Sequence, residues 1–175
     1  GTKALKFDDP DTYTLNILNN IMGGSMSSRL FQNIREEKGM AYTVYSYTGS
    51  HDNDGFYAIS AGVAHDKIED TVHAIREELE NLAKSGVTKE ELEISKQQTK
   101  GGLIFSLENT SNRMVLNGKY ALFRNRVRTA EEAIAAIDAV SMDDIARVAS
   151  MITDFSKYSG TIVSRRDVDL AALMK

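Results

Sequence analysis

An α+β fold, with helices packed on one face of a small and mainly antiparallel sheet, is predicted by three observations. Most of the chain repeats apolar residues at helical spacing between recognisable caps. One stretch, residues 41 to 64, changes to the period of two and to the β-branched, tyrosine-rich composition of a hairpin. Strands and helices nowhere alternate as βαβ units, which removes the parallel, doubly wound folds.

The first helix is expected from Asp9, read as its N-cap, with Pro10 at the first helical position. Tyr13, Ile17, Leu18 and Ile21 give it an apolar stripe, and Gly23-Gly24 ends it as a plain break between helices. Ser27 or Ser28 is expected to cap a second helix with Leu30, Phe31 and Ile34 on its apolar face. Gly39 stands where a left-handed residue closes a helix. Two strands follow, Ala41 to Thr48 and Gly55 to Ala64, around a turn from Gly49 to Asp54, and this hairpin is the expected centre of the sheet.

Beyond the hairpin, Asp66 with Glu69 reads as a capped start, and Ile68, Val72, Ile75, Leu79 and Leu82 form a stripe expected to lie on the sheet. Thr88 with Glu91 opens a long helix to about Leu107, and Thr110 or Ser111 opens another to about Phe123. Thr129 with Glu132 and Ser141 with Asp144 mark two shorter ones. Gly101-Gly102 inside a helix costs about 1 kcal/mol per residue relative to Ala, so a close packing contact is expected there. Tyr158 to Val163 is the expected last strand, and only Thr2 to Phe7 remain for a strand ahead of the first helix.

The 175 residues suit one domain, residues 1–175, with a single substantial core. Hydrophobic residues at 42% and charged residues at 26% exclude a disordered chain. No apolar run reaches the ~20 residues that cross a bilayer, and the first residues lack the apolar stretch of a signal peptide. No membrane partner is expected, and a cytoplasmic location is. The absence of an initiator Met suggests a fragment. A net charge of −4 argues against nucleic acid, and Arg124, Arg126 and Arg128 read as a solvated helix end. With no cysteine there is no disulfide, thiolate ligand or thiol nucleophile, which fits a reducing compartment.

Metal and nucleophile motifs are missing as well. Paired histidines four residues apart on a helix converge on one zinc ion, but His51, His65 and His73 have no such partners. No serine stands in a Gly-x-Ser-x-Gly elbow. Gly23-Gly24-Ser25-Met26-Ser27 follows a helix rather than a strand and lacks a Gly-Lys-Ser/Thr ending, so it matches neither nucleotide fingerprint.

Residues 23 to 47 read Gly-Gly-Ser-Met-Ser-Ser-Arg-Leu-Phe-Gln-Asn-Ile-Arg-Glu-Glu-Lys-Gly-Met-Ala-Tyr-Thr-Val-Tyr-Ser-Tyr. This stretch resembles the C-terminal, zinc-free half of the pitrilysin and mitochondrial processing peptidase family, the inverzincins. Gly86-Val87-Thr88, Glu90-Glu91-Leu92, Lys100-Gly101-Gly102-Leu103, Ser106-Leu107-Glu108 and Ser111-Asn112-Arg113-Met114 continue the likeness in order. The resemblance implies two homologous halves closing like a clamshell on a peptide substrate. Zinc belongs to the other half, in the same chain or a separate subunit of a homo- or heterodimer, and this chain holds no cofactor.

It further implies that Arg35 and Tyr42, seven positions apart, reach across to the substrate. A guanidinium presents a rigid fork of donors to backbone carbonyls or a carboxylate. A phenol donates to the oxyanion that develops as water attacks a peptide carbonyl. Tyr42 is therefore the expected catalytic group and Arg35 the expected substrate-binding group. A structural subunit without proteolysis, and a module that binds peptides without cutting them, are the alternatives.

Overall fold

A computed structural model describes residues 1–174 and has the expected α+β architecture. Three strands, β1 (Thr2–Ala4), β2 (Ala41–Ser50) and β3 (Gly55–Val63), form one sheet in the order β1-β3-β2, with both pairings antiparallel. The hairpin is longer and its turn tighter than the sequence suggested, because Gly49 and Ser50 still pair with Phe56 and Gly55. The centre of the sheet is β3 alone, and β2 is an edge strand.

Helices α1 (Thr12–Asn19), α2 (Ile68–Ser85) and α6 (Met142–Ile152) contact the strands. Helices α3 (Lys89–Glu108) and α5 (Ala130–Ala139) stand behind α1, while α4 (Thr110–Arg124) folds back along α3 and a short α7 (Leu170–Leu173) touches α2. The main core gathers Ile17, Leu18, Leu79, Ile137, Val148 and Ile152. A smaller cluster of Leu30, Ile34, Ala41, Val44 and Ala74 lies beneath β2, and Ile59 and Ile75 touch both. Among the described residues no helix packs on the opposite face of the sheet, which leaves its aromatic side chains exposed.

Local chemistry explains most boundaries. Thr88–Glu91, Thr129–Glu132 and Ser141–Asp144 each form the reciprocal capping box expected of them. The Ser141 hydroxyl and N–H hold the Asp144 carboxyl down at about 2. Other expectations are corrected. Asp9 does not cap α1; its carboxylate accepts from the Asp11 N–H at 3.0 Å in a turn, and helix begins at Thr12. Neither Ser27 nor Ser28 caps by its side chain, and the Ser28 hydroxyl is buried without a partner among the described residues. Asp66 lies inside a tight turn, His65–Lys67, and leaves α2 without a side-chain cap. Asn109 caps α4, through the N–H groups of Ser111 and Asn112, in place of Thr110 or Ser111.

The α2 stripe is rotated from its expected position. Leu79 and Leu82 are buried, but Ile68, Val72 and Ile75 are half-buried around an open cavity shared with Ile59, Phe155 and Tyr158. Thr71, Ala74 and Glu78 face inward instead, and the Glu78 carboxylate accepts from Asn33 at 2.7 Å. Tyr158 to Val163 builds no strand. Ser159 exchanges both backbone bonds with Gly1 at 2.9 Å, and one such pair is not a ladder. Gly101 and Gly102 face open space, so their place in α3 reflects no close contact among the described residues.

The three arginines are not a solvated helix end. Left-handed Asn125 ends α4 and turns Arg124, Arg126 and Arg128 onto Asp8, at 3.6, 3.0 and 3.5 Å. The guanidiniums also lie over the rings of Phe7, Tyr120 and Tyr13. Asp8→Ala is expected to lower stability by roughly 1–3 kcal/mol, below the cost at a fully buried pair because the guanidiniums keep some water. An unchanged unfolding midpoint would show that the rings alone hold this corner.

Candidate functional site

The residues singled out by sequence lie on one continuous stretch of backbone between α1 and β2. After Asn19, α1 widens into π-helical winding over Asn20–Gly24, which delivers Gly23 onto the backbone of β2. A Cβ on Gly23 would fall on the Ser46 backbone nitrogen, and 2.6 Å from the Ser46 hydroxyl. Close approach to the strand, more than a break between helices, is therefore what requires glycine here. Ser46, facing inward, donates to the Asn19 side-chain oxygen at 2.8 Å and ties the strand to that turn. Gly23→Ala is expected to cost about 1–3 kcal/mol by overpacking, read as a lowered denaturation midpoint. A wild-type midpoint would mean that the turn relaxes away from β2 freely.

Ser25 to Ser28 then lead to the segment carrying Arg35. It is π-wound over Phe31–Glu37, with the Lys38 N–H bonding the Asn33 carbonyl five residues back at 3.1 Å. Windings of this kind are rare and recur at functional sites. Gly39, at φ +59°, closes the segment as expected, and the Met40 N–H returns to the Ile34 carbonyl at 2.9 Å. Ile34 and Leu30 anchor the inner side of the helix, whereas Arg35 is 41% exposed. Its guanidinium lies 4.7 Å from the centre of the Phe31 ring and 3.6 Å from the Glu36 carboxylate. The ring face supports the guanidinium from below and leaves most of its donors facing solvent.

Tyr42 occupies a β-bulge. Ala41 pairs with Val63 and Thr43 with Gly62, so Tyr42 is the extra residue of β2. A bulge breaks the alternation of the strand and re-aims a side chain. Here Tyr42 and Thr43 both face outward between the buried Ala41 and Val44, and Tyr42 is 84% exposed. Arg35 and Tyr42 thus lie exposed on either side of the Gly39 turn.

Two supporting residues were not read from the sequence as part of the site. Arg29, at the head of the Arg35 helix, grips Glu91 in a fork at 2.7 and 2.8 Å and the Gly86 carbonyl at 2.9 Å. Glu91 was read as the third residue of its capping box and within the family likeness, yet it also joins that helix to the start of α3. Burial pushes the Glu91 carboxyl up, but the Arg29 guanidinium and the Thr88 N–H outweigh it and leave the group below the usual carboxylate range. The stabilisation is therefore complete above the ordinary carboxylate pKa and is lost as pH falls through the lowered one. The thermal deficit of Glu91→Gln should be full at neutral pH and shrink in acid. A deficit independent of pH would show that the ion pair contributes nothing.

The histidines do not converge. His51 lies in the hairpin turn beside the Phe56 ring, His65 near the Ser164 hydroxyl, and His73 on α2 at 3.9 Å from Glu69. Among the described residues no group of three or more His, Asp or Glu side chains is placed to hold a metal. Nor is any helix among them long and apolar enough to cross a membrane.

Residues 2–99 match the family described as the peptidase M16 inactive domain. An uncharacterized zinc protease of Bacillus subtilis, YmxG, is 42% identical over 145 residues, which span 83% of this chain and 36% of the relative. A crystal structure of a protease from Helicobacter pylori superposes with a TM-score of 0.75 at 26% identity, covering 85% of this chain and 36% of that one. A chain of complex III2 from Candida albicans also reaches 0.75, at 20% identity over 85% of this chain and 38% of its own, a likeness of fold alone. The chain spans about a third of the length of the proteins it matches.

Proposed function

Since the chain belongs to the family of the peptidase M16 inactive domain, we propose that it is the substrate-binding, zinc-free half of a zinc metalloendopeptidase. A zinc-binding half completes the active site. The greater length of the relatives favours placing both halves in one polypeptide. The observation that carries the reading is the bulge at Tyr42, which spends a strand residue on presenting an exposed phenol next to the π-wound helix of Arg35.

Zinc in the other half supplies the Lewis acidity of the hydrolysis. The residues of this chain bind and orient. The Arg35 fork takes backbone carbonyls or a carboxylate of the peptide, and it does so before and during the reaction. The Tyr42 hydroxyl donates to the carbonyl oxygen of the scissile bond, and its hydrogen bond strengthens as charge grows there. An immobile donor is worth most in such a site, and the strand fixes the Tyr42 backbone on both sides of the bulge.

Arg35→Ala in the full-length, zinc-loaded protein tests the binding role. KM is expected to rise roughly tenfold to a hundredfold, at least as much as kcat falls, with an unchanged unfolding temperature. A wild-type KM would remove Arg35 from the site.

A further inference from the structure

Neither β2 nor β3 contains a charged residue, although charged residues make up 26% of the chain. On the face that no helix covers among the described residues, β2 presents Tyr45 and Tyr47 at 48% and 44% exposure, and β3 adds Phe56 at 36%. The rings form one continuous surface. Tyr45 and Tyr47 stand 5.9 Å apart between centres, and Phe56 meets Tyr47 edge-on at the same distance. Gly49 carries no side chain, and the Phe56 ring lies across its backbone where a Cβ would stand. The inner face of the same strands is closed by Val44, Ser46 and Tyr57, so the rings rest on a rigid floor.

We infer that this aromatic platform is a subsite for uncharged, apolar side chains of the peptide, three to five residues from the scissile bond. The inference rests on the reading of Tyr42 given above. Tyr45 and Tyr47 follow Tyr42 on the same outward face of the same strand. At ~3.3 Å per residue they lie about 10 and 17 Å from it, and an extended peptide rises by nearly the same step. A peptide whose carbonyl meets Tyr42 and whose chain runs along β2 therefore brings its third and fifth neighbours over the rings. Tyrosines give large contact area with little loss of rotamer freedom. An acidic or basic side chain placed over Tyr45 and Tyr47 loses water and meets no opposite charge on β2 or β3; Lys3 of β1, paired with Phe56, is exposed at the far end of the platform.

The full-length protein and two peptide series test this. One series extends a minimal substrate by Leu on either side of the scissile bond, and the other by Asp or Lys at the same positions. Extension by Leu to the third to fifth position is expected to raise kcat/KM about tenfold, with Asp or Lys giving no gain. In Tyr45→Ala/Tyr47→Ala that ratio of long to short should fall toward one, and Tyr45→Phe/Tyr47→Phe, which keeps the rings, should restore it. A ratio unchanged in the alanine variant, or an equal gain from Lys, overturns the proposal. If the face is instead covered by the other half, the alanine variant lowers the unfolding temperature and affects both peptide lengths alike, which also overturns it. Equilibrium binding of uncleavable reduced-amide peptides of both lengths gives the same ratio without turnover. Failure of hydrolysis thus counts against the Tyr42 reading, and failure of the ratio against the platform.

Discussion

Tyr42→Phe is expected to lower kcat of the full-length, zinc-loaded protein by roughly 10²–10³ while leaving KM and stability nearly unchanged. The substitution removes one hydroxyl and no ring, and at 84% exposure the hydroxyl has no packing role to lose. Strand pairing is also untouched, because the bulge is set by the backbone register of Ala41 and Thr43. The whole effect should therefore fall on charge that exists only as the carbonyl is attacked. Equal losses in kcat and kcat/KM are the signature of an interaction confined to the transition state. Turnover at the wild-type rate would show that the Tyr42 hydroxyl is inherited without being used, whereas a wild-type protein that cleaves nothing would favour a structural subunit or a peptide-binding module.

Much of the fold was legible because its signals are local. Three of the four capping boxes formed as read, since each needs only a Ser or Thr and an acidic residue three positions on. The hairpin was legible from composition and period, and Gly39 from the need for a left-handed residue. Asp66–Glu69 failed because the backbone ahead of α2 enters through a tight turn, which denies Asp66 the extended conformation of a cap.

Other misreadings were of tertiary origin. The rotation of the α2 stripe follows from what packs on it: Asn33 reaches Glu78 and draws that carboxylate inward, and the cavity leaves Ile68, Val72 and Ile75 half covered. Asp8 carries no local sign that three arginines more than a hundred residues later will turn onto it. The last strand failed for want of a strand neighbour: Tyr158 to Val163 has strand composition, but the exchange of bonds between Ser159 and Gly1 extends to no ladder among the described residues.

At the candidate site, sequence proposed two residues and not how the backbone presents them. The likeness to a known family picked out Arg35 and Tyr42, and both are exposed, but neither the π-winding nor the bulge has a residue signature. Both irregularities are single-residue departures from hydrogen-bond register, set by how α1 and the Arg35 helix meet β2. Gly23 is the nearest thing to a signal. It was read as a break, whereas its missing Cβ is what lets the π turn rest on Ser46.

Leu79→Ala is expected to lower stability by about 2–5 kcal/mol, toward the upper end of that range. The side chain is 0% exposed and belongs to the main core, which gathers residues from α1, α5 and α6. Loss of the isobutyl group removes transfer energy and also leaves a void, because partners fixed on several different helices cannot collapse together. Val72→Ala on the same helix is the internal control. Val72 is half-buried at the cavity, so its truncation opens space that is already open and should cost about 1 kcal/mol or less. Chemical denaturation of the two variants measures the difference directly. Equal midpoints would place the packed face of α2 on the expected stripe, running through Val72, and contradict the rotated packing in which Thr71, Ala74 and Glu78 face the core.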